Sequence, residues 1–348
     1  MNYGLPYKGS KNRIAKKILD VLPPAPVLYD VFAGGCAITH AALLSGKYSR
    51  VVANDINGMI PHAFESAING GFRNEDRWIS RDDFQKLYKT DPYVAICFSF
   101  GNNLKEYCYA RDLEPYKRAL HYAIFWQDTA PWRELCPETA DALKKAVESE
   151  QDRHKRRIGA GRAIVTALKA GLMNGTIDPA VMNKPIYRKI RTEKTPGLSL
   201  HLQSAISLEC RLQSLERLKN LETLQTDESL HRLQCLESLE RLERINSVDV
   251  PPVLSVTTED YRALNFERGG IIYCDPPYKS TEERYGREFD FNGFYSWCEH
   301  QANPVFISEY TMPEDRFVPV AAFTVTRKMD ARKSSICHEK IWRPRIQL

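Results

Sequence analysis

Asp275-Pro276-Pro277-Tyr278 follows directly on the apolar run Ile271 to Cys274. Open α/β sheets bind ligands beyond the carboxyl ends of their strands, which is where this tetrapeptide falls. Two prolines fix φ and donate no hydrogen bonds, so the turn is stiff and rich in acceptors, between a carboxylate and an aromatic ring. That corner suits a planar heterocycle with an exocyclic amine. Asp275 and the Pro276 carbonyl would accept from the amine, Pro277 would hold the turn, and Tyr278 would lie on the ring face. The plainer alternative is an ordinary Asp-Pro-Pro turn.

Two further groups stand near the start of the chain. In Asp30-Val31-Phe32-Ala33-Gly34-Gly35-Cys36, with Asp55 twenty residues after Gly35, the glycines let a cofactor approach the backbone. An acid at the next strand's end can bind ribose hydroxyls. The pattern is neither G-x-G-x-x-G nor G-x-x-x-x-G-K-[ST], which disfavours NAD and a nucleoside-triphosphate loop. A carboxylate at Asp30 would repel a pyrophosphate, yet suits the ammonium and sulfonium of S-adenosylmethionine. In Pro6-Tyr7-Lys8-Gly9-Ser10-Lys11, Tyr7 could stack on an adenine while Lys11 meets the cofactor's carboxylate; alone, the stretch also reads as a basic loop.

These residues need elements to hold them. Ser10 can cap a helix from about Lys11 to Leu22, stopped by Pro23-Pro24. Val27 to Val31 suits a buried strand, the glycine turn leads into an Ala-rich helix from Ala37 to Leu44, and Arg50 to Asp55 makes a second strand. Strand, turn, helix and strand form a βαβ unit of a parallel sheet. After Pro251-Pro252, strands are expected at Val253 to Val256, Gly269 to Asp275, Val305 to Ser308 and Ala322 to Thr326. The sheet is thus built from both ends of the chain. The expected division is a discontinuous core of residues 1–57 and 250–348, an inserted target-recognition region at 58–197, and a leucine-rich segment at 198–249. In that segment Leu212, Leu215, Leu218, Leu221 and Leu224 step by three, as do Leu230, Leu233, Leu236, Leu239 and Leu242. Steps of three wander around a helix, and an imperfect repeat at an offset of 24 predicts leucine-rich-repeat-like scaffold instead.

Composition limits the rest. The 348 residues are 43% hydrophobic and 27% charged, an ordinary globular balance. Nine cysteines with no C-x-x-C pair argue against a disulfide framework and a structural zinc site, and predict reduced thiols in a cytoplasmic protein with no metal. No stretch approaches the ~18 apolar residues of a spanning helix. Between Gln151 and Thr195 there are 11 Lys and Arg against 3 Asp and Glu, while the other 303 residues carry a net −3. Such a regional surplus suits a polyanion, or else a solvated basic face. Arg153, Arg156, Arg157, Arg188 and Arg191 are the candidate DNA contacts, to phosphate or to base edges.

Taken in order, the Pro6 to Lys11 start, Phe32-x-Gly34, Asn54-Asp55, Thr258-Glu259-Asp260-Tyr261-Arg262 and Asp275-Pro276-Pro277-Tyr278 resemble the D12 class of Dam-like N6-adenine DNA methyltransferases. Phe306 to Tyr310 and Glu339 to Trp342 look like that family's tail. The resemblance covers roughly residues 3–60 and 250–348. It implies a Rossmann-like α/β core dependent on S-adenosylmethionine, a site-specific adenine methyltransferase of the restriction-modification kind, and double-stranded DNA as partner. Tyr7, Lys11, Asp55 and Asp275 match the family's donor-binding positions, with Asp30, Phe32 and Gly34 at the turn, and Asp260 and Tyr261 flanking the donor's adenine. Cys36 departs from the family's usual glycine.

The chemistry implied is direct attack by the adenine amine, with Asp275 and the Pro276 carbonyl orienting its lone pair. A base inside a duplex must first be flipped out. Cytosine C5 chemistry needs a nucleophilic Pro-Cys, and here Cys136-Pro137 is reversed. An RNA adenine enzyme, an N4-cytosine enzyme, or a non-enzymatic leucine-repeat interaction protein are the competing readings.

Overall fold

The computed structural model describes residues 2–187, 233–245, 253–277, 289–330 and 333–347. Seven strands form one sheet: β1 Ala25–Asp30, β2 Tyr48–Asn54, β3 Val253–Thr257, β4 Ile271–Cys274, β5 Val305–Glu309, β6 Phe317–Asp330 and β7 Lys333–Pro344. Their order is β3-β2-β1-β4-β5-β7-β6. The first five run parallel, and β7 runs antiparallel between β5 and β6. From β1 the chain steps outward to β2 and β3, and from β4 it steps the other way to β5. The order therefore reverses between β1 and β4, and at such a switch point an open α/β sheet leaves a crevice beyond its strand tips.

Central strands of a parallel sheet are covered on both faces and read as continuous apolar runs. Leu28 and Tyr29 of β1 and all four residues of β4 are buried accordingly. One face carries a core of Val27, Tyr29, Ile272, Cys274, Val305 and Ile307 against Phe294, Phe317 and Trp342. The helices with the sheet are α1 Ala15–Val21, α2 Ala37–Ser45, α3 Met59–Ile68, α4 Arg81–Leu87 and α5 Pro92–Cys97. Ser10 accepts from the Asn12 amide and starts a 3-10 turn, Lys11–Arg13, ahead of α1, so the helix expected from Lys11 comes in two pieces. This mixed α/β architecture, with its seven-stranded sheet, is consistent with a methyltransferase Rossmann-like fold.

Three expectations are corrected. The chain divides into one compact unit of Met1–Glu75, Arg81–Glu106 and Ser238–Leu348 and a second of Asp76–Ser80 and Tyr107–Glu237. Most of residues 58–106 thus belongs with the sheet, where α3 lies against β3 and α5, and not with an insert beginning at 58. The second unit is helical: α6 Glu114–Trp126, α7 Ala130–Leu135, α8 Pro137–Glu148 and α9 Arg153–Met173.

The second correction concerns the leucines. Where that segment falls within the described residues, it is a helix, α10 Gln234–Arg244. Leu233, Leu236, Leu239 and Leu242 are all fully buried there. Steps of three drift by about 60° each, so four leucines span only about half the circumference, which a three-turn helix can bury. Drift defeats only a longer helix. The remainder of 198–249 lies outside the described residues. Third, β7 went unpredicted because its Lys, Ser and Glu mask the alternation that only Glu339 and Ile341 carry. A final helix, α11 Phe291–Glu299, follows β4 in the fold's chain order.

Candidate functional site

The site grows from the tips of β1, β2 and β4. Asn54, last residue of β2, donates to the carbonyls of Val31 and Glu259 at 3.0 Å each and accepts from the Glu259 amide at 2.9 Å and the Thr257 hydroxyl at 2.8 Å. One buried amide thereby ties the ends of three strands together, a role that sequence alone did not reveal. Beyond β1 the chain turns at Gly34, φ +45°, and enters α2 through Cys36, φ +56°. A left-handed conformation favours glycine, and this explains why Cys36 stands where the resembling family has one.

The N-terminal segment lies on that turn. The Leu5 amide donates to the Gly35 carbonyl at 2.7 Å, and the Gly4 amide to His40 Nδ1 at 3.0 Å. Burial holds His40 down at about 4, which keeps the ring neutral and able to accept. Tyr7 packs so closely that a Cβ on Gly35 would sit 2.5 Å from Tyr7 Cβ, and one on Gly34 would sit 3.4 Å from Tyr7 Cε1. Gly35→Ala is therefore expected to lower stability by about 1–3 kcal/mol through overpacking, read as a fall in the urea midpoint at unchanged slope.

Four residues on, Lys11 reaches Asp275. Its ammonium lies 2.6 Å from Asp275 Oδ1 and 2.8 Å from Oδ2, with the lysine side chain 7% and the aspartate 20% exposed. Glu339 Oε1 stands 3.9 Å away and accepts from the Ser308 hydroxyl at 2.8 Å. Strand alternation accounts for the grouping: Asp30 pairs in register with Tyr273, Asp275 lies two residues further along, and Ser308 pairs with Ile341, two residues from Glu339. Lys11, Asp275, Ser308 and Glu339 thus meet at one end of one face. Ser308 and Glu339 were legible only as tail positions.

Asp55 is fixed beside the turn. Its Oδ2 accepts from the Gly34 amide at 2.8 Å and its Oδ1 from the Asn57 amide at 2.8 Å, while burial raises its pKa. Asp30 is a correction. Its Oδ2 accepts from the Thr39 amide at 3.0 Å and hydroxyl at 2.7 Å, so the carboxyl serves the first turn of α2 instead of waiting for a cation. Burial, with Asp275 and Asp55 nearby, pushes it up to about 7. Phe32 and Tyr261 are 5.5 Å apart in a ring cluster with Phe289 and Phe294. Asp260 is held down at about 2 by its bidentate Arg262 partner, so its carboxylate is already engaged. Pro276 is buried and Pro277 half-buried. Tyr278 lies outside the described residues.

Glu309, at the tip of β5, is 6% exposed. Its Oε1 accepts from the Tyr310 amide, its Oε2 is buried with no hydrogen-bond partner among the described residues, and burial pushes it up to about 8. A carboxyl whose folded value lies above its unfolded one binds extra protons in the fold. Its stabilising contribution is greatest below the unfolded value and is lost as pH rises through about 8. Glu309→Gln, neutral throughout, is expected to gain on the wild type between pH 6 and 9 in urea-denaturation midpoint; equal pH slopes would contradict the assignment.

In the helical unit, the described arginines named for DNA contact are engaged within the protein. Arg156 donates to the carbonyls of Ile124 and Gln151, capping the end of α6, and Arg157 is buried 3.4 Å from Glu237. Their assignment to DNA is corrected on that ground: these donors are spent on buried or carbonyl acceptors. Arg153 lies over the Phe125 ring at 4.7 Å. Arg188 and Arg191 lie outside the described residues.

Among the described residues the seven cysteines are free, no helix is long and apolar enough to cross a membrane, and no group of three His, Cys, Asp or Glu is disposed to hold a metal. No curated protein matches the chain. The matched stretch in the family comparison runs past residue 60 and stops before Asp275, so it carries the Tyr7 segment, the glycine turn and Asp55 but not Asp-Pro-Pro. Residues 7–124 match the model of the D12 class N6 adenine-specific DNA methyltransferases, and the match supports an N6-adenine DNA methyltransferase.

Proposed function

We propose that the chain transfers a methyl group from S-adenosylmethionine to N6 of an adenine flipped out of duplex DNA, in a cytoplasmic, site-specific modification reaction. The observation that carries this reading is the Lys11–Asp275 pair, 2.6 Å across 264 residues of sequence. It joins the segment that covers the glycine turn to the acceptor-rich corner beyond β4, at the point where strand order reverses.

The residues fit the donor. Tyr7 supplies a ring against the turn, Gly34 and Gly35 leave the backbone bare where a side chain would collide, Asp55 offers a carboxylate at the tip of β2, and Lys11 offers a buried cation. When bound, S-adenosylmethionine supplies a methyl group activated by its sulfonium. Asp30 adds negative potential from below the turn only to the extent that it is ionised, since Thr39 holds its oxygen.

Asp275 and the Pro276 carbonyl do the orienting. The adenine N6 lone pair is delocalised into the ring, and two acceptors on the amine favour the pyramidal nitrogen on which that pair is localised. They also stabilise the positive charge that develops on nitrogen as the new bond forms. The amine then loses one proton, for which the Asp275 carboxylate is the nearest acceptor in this arrangement. Asp275 can accept from an amine only as Lys11 yields, and Glu339 stands ready at 3.9 Å to keep that ammonium paired. Pro277 stiffens the turn, and Tyr278 is assigned to the ring face of the base.

Tritiated methyl transfer to unmethylated duplex DNA, with RNA in parallel, tests the reading. Label in N6-methyladenine of duplex DNA is the expected result. Label in RNA or in N4-methylcytosine would reassign the substrate. Absence of transfer to every nucleic acid, together with no donor binding by calorimetry, would overturn the reading.

A further inference from the structure

Beside the catalytic segment lies a loop whose backbone is held in an unfavourable shape. Gly101, Asn102 and Leu104 have φ of +57°, +56° and +63°. For a bulky residue such as leucine the left-handed region is a true outlier, and such outliers persist only where their surroundings over-determine them. Here they do. Asn102 Nδ2 donates to the Ile96 carbonyl and the Ser238 hydroxyl at 2.9 Å each, the Leu104 amide donates to Ser99 Oγ at 3.0 Å, and the Lys105 and Glu106 amides donate to Asn103 Oδ1 at 3.0 Å each.

What this rigid loop presents is Phe100, 62% exposed, in a chain that buries Phe64, Phe84, Phe98, Phe294 and Phe317 completely. The Phe100 amide is fixed to the Glu106 carbonyl at 2.6 Å, which pins the residue at its base. Its position follows from the backbone. The Lys8 amide donates to the Asn102 carbonyl at 3.3 Å, and three residues later Lys11 grips Asp275. Three residues span at most about 11 Å, so the loop stands within a few base-stacking distances of the acceptor corner. Lys8 and Lys105 are exposed beside it, with Glu106 the one acidic neighbour, its carboxylate accepting from Asn103.

We propose that Phe100 is a DNA wedge: its ring enters the stack next to the target adenine and fills or braces the gap left when that base is everted, while Lys8 and Lys105 meet the flanking phosphates. The inference rests on the reading of the site given above. An apolar ring held outward on a stiff loop, flanked by cations, matches the chemistry by which side chains unstack a base step and offset its cost. Duplex DNA is the occupant this charge pattern favours; the loop is too small and too polar at its rim to serve as a protein-binding face.

Phe100→Ala, Phe100→Leu and the wild type are compared on two duplexes that carry the methylation site mapped from the wild-type enzyme. In one the target adenine is paired, and in the other it faces an abasic position, which lowers the cost of eversion. Phe100→Ala is expected to lose roughly ten- to a hundredfold in kcat/KM on the paired duplex and to recover to within a few fold of wild type on the abasic one. Phe100→Leu should fall between. Donor binding by calorimetry should be unchanged for both variants, as the side chain is exposed. Wild-type rates for Phe100→Ala on the paired duplex, or an equal loss on both duplexes, would overturn the wedge and leave the proposed function standing. A wild-type enzyme that modifies no DNA would overturn both.

Discussion

Asp275→Ala is expected to abolish measurable methyl transfer, a loss on the order of 10²–10³-fold or more, while leaving the protein folded and able to bind the donor. Two acceptors on the amine do work that water cannot do in a confined corner, because they are already oriented when charge appears on nitrogen; removing one preorganised partner of this kind costs about 10²–10³ in kcat. The fold should tolerate the change, since Asp275 is 20% exposed and the Lys11 ammonium keeps Glu339 at 3.9 Å. Asp275→Asn is the sharper variant. Its amide preserves volume and one acceptor oxygen but offers a donor where the amine also donates. A loss for Asp275→Asn close to that of Asp275→Ala identifies the second acceptor position as essential; activity within a few fold of wild type would remove Asp275 from the chemistry. Single-turnover rates with saturating donor and duplex separate the effect from binding.

The fold was legible where physics is local. Apolar runs bounded by proline and glycine located β1 to β5 within about two residues, because a strand covered on both faces leaves few alternatives to Val, Ile, Leu and Tyr. The Asp-Pro-Pro corner was legible for the same reason: prolines behind an apolar strand constrain the backbone whatever surrounds them. What stayed hidden depends on partners distant in sequence. Asn54 looks like any polar strand end until its four hydrogen bonds are seen. Asp30 looks poised for a cation, yet Thr39, nine residues away on a helix, claims it. Arg156 and Arg157 look like phosphate contacts by composition, but a guanidinium serves a helix terminus or a buried glutamate equally well, and charge counting does not distinguish the two.

The leucines show the opposite error, in which a periodicity argument was applied over too great a length. A step of three is a poor stripe across seven turns and an adequate one across three, so α10 buries Leu236, Leu239 and Leu242 without conflict. The division of the chain was misplaced for a related reason. Residues 58–75 and 81–106 are rich in helix signals, and helices that cover a parallel sheet look, in sequence, no different from helices of an insert.

Lys11→Met is expected to be the most damaging single change to the site as a whole, because it removes the only cation printed between two carboxylates. Asp275 and Glu339 would then share a partly buried space with no compensating charge, and Glu309, whose proton affinity Lys11 lowers, would hold its proton more strongly still. Breaking a buried pair from one side costs more than the pair itself contributes, about 3–5 kcal/mol when both partners are buried; with Asp275 20% exposed the expected loss is nearer 1–3 kcal/mol. Transfer should fall at least a hundredfold, and the acid limb of the pH–rate profile should move to higher pH, since the acceptor loses the cation that favours its ionised form. The double variant Lys11→Met with Asp275→Asn separates charge from packing. It removes both members of the pair, so its urea midpoint should recover most of the loss seen for Lys11→Met alone while its activity stays at the floor set by Asp275. A double variant as unstable as the sum of its parts would show that Lys11 acts through its apolar stem, buried beside the glycine turn, and not through the ammonium that the site is built around.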